Sequence, residues 1–92
     1  MKIFKWNAEK NKKLADTRGI TFDEIVQQIH TGALIGEVPH PNKSKYPNQT
    51  ILIVEINAYA YLVPCIISNN EYFLKTIIPS RKATKQYLGD QP

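Results

Sequence analysis

The residues best placed for chemistry are cations and tyrosines. Lys10, Lys12, Lys13 and Arg18 cluster near one end of the chain, and Lys75, Arg81, Lys82 and Lys85 near the other. Tyr46, Tyr59, Tyr61, Tyr72 and Tyr87 are spread between and beyond them. Cations neutralise phosphate and aromatic rings stack on bases, the pairing by which single-stranded RNA is commonly held. Tyr59 and Tyr61 are two residues apart, so on a strand they share one face. Ser80 follows Pro79 and precedes Arg81-Lys82, which reads as a strand stop followed by a helix cap. The cations just after Ser80 oppose the helix dipole, while the free N–H groups there suit an anion. The same pattern also fits a solvated basic helix that covers a sheet edge.

Metal and nucleophile chemistry find little support. Two histidines and one cysteine give no metal-ligand spacing. Cys65 lies in an apolar run and reads as a small core residue. His30 falls near a helix end, where a cation suits the dipole, and His40 lies between two prolines. The four glycines are scattered and form no phosphate-cradling loop. No cofactor is expected.

The elements that must position these residues can be read in order. Lys2–Trp6 alternates weakly and predicts a short strand, possible as an edge. Asn7 caps a polar helix over 8–16 with a thin apolar stripe, and Gly19 is its left-handed terminator. Thr21-Phe22-Asp23-Glu24 is a capping box, with Ile20 and Ile25 as the hydrophobic staple. Phe22, Ile25, Val26 and Ile29 then form one apolar stripe. Strands are predicted over 33–38, 50–56, 59–67 and 72–78, joined by turns at Asn57-Ala58 and 68–71. Gly36 interrupts the first of these, and Pro64 implies a bulge or an edge. A short helix from Arg81 ends at Gly89, followed by a tail of Asp90-Gln91-Pro92.

Helices segregated from hairpin-linked strands predict one α+β domain over 1–92. Its antiparallel sheet would have about four to five strands, with two N-terminal helices and a short C-terminal one. At 92 residues such a domain can bury a modest core. The balance of 12 basic to 8 acidic residues gives +4, which permits a nucleic-acid or acidic-protein partner without requiring one. The longest apolar run is too short to span a bilayer, and no signal-peptide pattern opens the chain. No membrane partner is expected, and the cytoplasm is the expected setting.

Two motifs in the expected order carry a family resemblance. Phe4-Lys5-Trp6-Asn7, Lys10-Asn11 and Gly19-Ile20-Thr21-Phe22-Asp23-Glu24 resemble the opening of BrnT-type toxins. Ile77-Ile78-Pro79-Ser80-Arg81-Lys82-Ala83-Thr84 resembles that family's ending. The resemblance implies a RelE-like fold and a metal-independent endoribonuclease toxin of a type II toxin–antitoxin pair. It also implies a cognate antitoxin, a ribbon-helix-helix DNA-binding protein, so that DNA is met only through that partner. On that pattern Arg81, Lys10 and Arg18 are the expected catalytic residues. Lys13, Lys75, Ser80, Lys82, Lys85, Tyr59 and Tyr61 are the expected RNA-binding residues. The chain departs from the family at Thr17-Arg18, where the family often has Lys-His, and at Thr76, where it often has Arg. A catalytically inactive relative that binds antitoxin or RNA is the alternative.

Overall fold

The computed structural model describes residues 2–89, so the expected tail beyond Gly89 lies outside the described residues. Six strands and three helices follow in the order β1 (Ile3–Trp6), α1 (Ala8–Arg18), α2 (Phe22–His30), β2 (Leu34–Pro39), β3 (Gln49–Ile56), β4 (Tyr59–Ser68), β5 (Glu71–Leu74), β6 (Ile78–Pro79) and α3, which starts at Arg81–Ala83. After Ala83 the last helix widens into a π-helical turn over Thr84–Leu88.

The sheet order is β1-β5-β4-β3-β2, with β6 pairing β4 on the same side as β5. The segregated α+β arrangement is as expected, but the sheet is mixed rather than antiparallel. β1 runs parallel to β5, Ile3 opposite Glu71 and Trp6 opposite Leu74. The two intervening helices allow this, because they form a crossover long enough to return the chain in the same direction. All other pairings are antiparallel.

The expected final strand over 72–78 is broken into β5 and β6. Pro64 explains where the break falls. Its carbonyl accepts from the Lys75 N–H at 2.8 Å. The N–H that proline lacks would face the same side, so the partner strand cannot stay paired there. β5 therefore pairs with Cys65–Ser68 and β6 with Tyr61 and Leu62, on either side of Pro64. Pro64 lies neither on an edge strand nor at a bulge. The bulge in the sheet occurs in β2, between Leu34 and Gly36.

The caps form much as the residue types dictate. Asn7 accepts from the Lys10 N–H, and Gly19 closes α1 at φ 67°. Thr21 accepts from the Glu24 N–H at 3.2 Å. The Glu24 carboxylate meets the Thr21 hydroxyl at 3.3 Å instead of the cap N–H, which is half of the expected box. Asn57 and Ala58 both take positive φ, the two-residue turn whose twist suits a hairpin.

One sheet face carries α1 and α2 over Leu14, Ile20, Phe22, Ile25, Leu52, Val54, Val63, Cys65, Leu74 and Ile77. Each fully buried aliphatic or aromatic side chain here contributes about 1.5–3 kcal/mol. The other face carries only α3, packed through Ala83 on Ile53 and Ala60. No helix of the described residues is long and apolar enough to cross a membrane.

Candidate nucleic-acid interface

The expected site residues divide between the two faces of the sheet. One group lies at a corner where the C-terminal end of α1 meets the β5–β6 connection. Arg18, the last residue of α1, donates through its guanidinium to the carbonyl of Ile77 at 2.5 Å. Two residues later Pro79 stands opposite Tyr61 on β4. Tyr61 meets Tyr59 edge-on, with ring centroids 5.7 Å apart. The face-sharing expected from their spacing is therefore realised, on the side of the sheet that bears α1 and α2.

Arg81 opens α3, the helix of the other face. The Ser80 N–H donates to the Ala60 carbonyl, and the Ala60 N–H donates to the Thr84 hydroxyl at 2.9 Å. The Ser80 hydroxyl accepts from the Ala83 N–H at 3.0 Å. These bonds fix the first turn of α3 to the start of β4 and leave the Arg81 side chain exposed. Ser80 is thus a cap, as its residue type predicts; its role towards RNA would fall to its remaining O–H.

Lys10 and Lys13 lie on the first turns of α1. Lys10 is eight residues from Arg18, about 12 Å along the axis. Lys13 is also about 140° around the helix from Arg18, so neither lysine belongs to the corner. Lys75 and Lys82 lie on the opposite face. Lys75 reaches over the Phe73 ring at 5.3 Å, and Lys82 lines a hollow with Ile53 and Leu62. Lys85 is exposed within the π-helical turn.

Charge pairing does not account for these cations. Among the described residues a single ion pair occurs, Lys5 with Glu71 at 3.1 Å, both largely exposed. The cations at the corner and along α1 are unengaged by carboxylates among those residues, so they are available to an anionic partner.

Proton-transfer groups are sparse at this corner. His30 packs against Phe4, and His40 against Tyr46 at 4.5 Å. The His40 Nδ1 also accepts from the Asn42 N–H, so it serves its own turn. Cys65 is fully buried, and its pKa is pushed up to about 12, first by burial and then by Glu37. It stays a protonated thiol at neutral pH and cannot act as a nucleophile. Burial also pushes Tyr72 up, with Glu37 adding to the effect. Among the described residues no group of three or more His, Cys, Asp or Glu side chains could hold a metal ion. On this face the exposed Arg18 and the Tyr59–Tyr61 pair are a cation and aromatic rings of the kinds that hold phosphate and base, whereas Arg81 stands at the start of α3, the helix of the other face.

Two features escape a reading by spacing. Asn11 is a strut between helices: its amide donates to Asp23 at 2.9 Å, and its carbonyl accepts from the Phe22 N–H at 2.7 Å. Nothing in its local sequence marks that partner. The second is the apolar sheet face beneath Lys75, where Phe73 and Ile78 stay substantially exposed. The adjacent aromatics Tyr72-Phe73 were its signal, since neighbours on a strand must face opposite ways. Set against protein-family models, curated proteins and solved structures, the chain matches none.

Proposed function

We propose that the protein is a metal-independent endoribonuclease toxin of a type II pair, neutralised by a ribbon-helix-helix antitoxin. The observation that supports this reading is the end of α1, where Arg18, held by the Ile77 carbonyl, lies on the same sheet face as the Tyr59–Tyr61 pair, while the exposed Arg81 opens α3 on the other face. In this mechanism the RNA 2′-oxygen attacks the adjacent phosphorus and the 5′-oxygen leaves. Arg81 stabilises the charge that gathers on the phosphoryl oxygens. Arg18 keeps further guanidinium donors beyond the one given to Ile77 and holds the backbone. Lys10 and Lys13 bind flanking phosphates, the 2′-hydroxyl proton passes to water, and water or a tyrosine hydroxyl returns a proton to the departing 5′-oxygen.

The test is cleavage of end-labelled RNA in EDTA, alone and with translating ribosomes. Wild-type protein is expected to produce new 5′-hydroxyl ends, and Arg81→Ala to lower the rate by about 100-fold with an unchanged melting temperature. Equal rates from the two proteins, or cleavage abolished by EDTA, would remove the proposal. A second reading, a binding module without nuclease activity, draws on the exposed apolar sheet face; folded protein that cleaves no RNA under either condition would favour it.

A further inference from the structure

The large apolar side chains that remain exposed are concentrated on one surface. Ile3, Ile66, Phe73 and Ile78 are each between 37% and 47% exposed. Phe73 stands opposite Ile66 across β4 and β5, and Ile78 stands opposite Leu62, which packs under α3. Ile3 shares its side of β1 with Lys5, whose partner Glu71 is two residues from Phe73. All four therefore lie on the face that bears α3, away from α1 and α2.

Two hollows adjoin this floor. One, about 340 Å³, runs from Val38, Ile51 and Leu62 to Lys82 and Tyr87. The other, about 290 Å³, is bounded by His40, Tyr46, Pro64, Lys75 and Ile78. One sheet face is layered by two helices; this one carries a single helix at one end and none over β5 and β6. A contiguous apolar patch of this kind marks an interaction site.

Charge indicates what fits. Lys75 and Lys82 line the hollows, and Lys45 lies over the Tyr46 ring that borders the second. Of the acids, Glu71 is already paired with Lys5, and Glu55 lies at the far end of β3 opposite Ala60. A second copy of the chain would bring the same lysines against each other. The floor is mainly aliphatic, which suits a protein side chain better than a stacked base. We propose that this face docks an amphipathic helix of another protein, with an aliphatic stripe and acidic flanks. Such a helix completes the missing layer and meets unpaired lysines at its margins. The surface lies opposite Tyr59 and Tyr61, and its occupancy is read from amide shifts and not from RNA cleavage.

The probe is a synthetic helical peptide of about 18 residues, about 27 Å long, with a Leu stripe flanked by Glu. A matched peptide carries Lys in place of Glu. Isotope-labelled full-length protein is titrated with each, and amide shifts are followed. The expected result is saturable binding of the acidic peptide, with shifts at Ile66, Phe73, Lys75, Ile78 and Lys82. Ile66→Glu should weaken it by about tenfold or more, and Lys75→Glu should weaken it while leaving the fold unchanged. Ile66→Ser gives the same reading should the glutamate variant fail to fold. Equal affinity for both peptides, or shifts confined to the α1–α2 side, would overturn the proposal. So would a dimer that Ile66→Glu disrupts, or a single-stranded RNA that perturbs this face while the acidic peptide does not.

Discussion

The two N-terminal helices are neighbours in sequence and opposites in design. α2 buries Phe22 and Ile25 in nine residues, with Val26 and Ile29 packed beside them. α1 buries Leu14 alone in eleven residues and carries Lys10, Lys12, Lys13 and Arg18. α2 is held by the core, whereas α1 is held by its ends: the Asn7 cap, the Asn11 strut and the Arg18 bond to Ile77. A helix with so little buried surface is not maintained by packing, and its broad polar face is free to meet a partner. The stretch that resembles the toxin opening follows the same division. Trp6 stacks on Phe22, Asn7 and Thr21 are caps, and Asn11 bridges the helices. That motif encodes architecture, and the cations around it carry any chemistry.

The helix held by the core, α2, has the most to lose. Phe22→Ala should cost about 3–5 kcal/mol in urea unfolding, because a fully buried ring leaves a cavity. Leu14→Ala should cost about 2–3 kcal/mol, the largest loss available from any one side chain of α1. A smaller effect than about 1 kcal/mol would mean that α1 is barely attached to the core. Asn11→Ala should cost about 1–2 kcal/mol by leaving the Phe22 N–H and Asp23 without their partner. Lys10→Gln and Lys13→Gln should leave the unfolding midpoint within about 0.5 kcal/mol of wild type. Each should lower the slope of RNA affinity against salt by about one ion, measured by filter binding across a salt series. A lost midpoint with an unchanged slope would make these lysines structural.

Alkaline stability sharpens the same contrast from the core side. The folded pKa of Cys65 is raised to about 12 from an ordinary value of 9.0, and that of Tyr72 is raised as well. Between those values the unfolded chain releases a proton that the folded one keeps. Cys65 therefore contributes stability that is complete below about pH 9 and is lost as pH rises towards 12. Urea midpoints measured from pH 8 upward should fall, and Cys65→Ala should flatten that fall. An equal slope in the variant would assign the alkaline loss elsewhere.

Much of the local structure was legible because it is set by short-range stereochemistry. Asn7, Gly19, Thr21, Ser80 and the Asn57-Ala58 turn each act through residues no more than four positions away. The parallel pairing of β1 with β5 was not legible, since alternation in Lys2–Trp6 shows a face but no partner. The gap between β5 and β6 was missed because its cause, Pro64, lies on a different strand. The site was legible as a set of residue types and not as a place. Lys75 and Lys82 look equivalent to Lys10 and Arg18 in sequence, and only the strand alternation through Phe73 and the packing of α3 put them on the opposite face. The tie from Arg18 to Ile77 joins residues far apart in sequence, and no spacing rule anticipates it.

The parallel pairing of β1 with β5 also sets a clock on biosynthesis. Ile3 is made well before its hydrogen-bonding partner strand, which begins only at Glu71. At about 5–20 residues per second, the first strand waits on the order of several seconds beside a growing ribosome. Until then its backbone groups are unpaired, and the sheet has no β5 to receive it. The antiparallel pairing of β2, β3 and β4 needs nothing beyond Ser68, so the fold closes late only where β5 is inserted between β4 and β1. A nascent chain stalled before Glu71 would lack the β5–β6 stretch that anchors Arg18 and leads into Arg81, and would emerge without a formed corner.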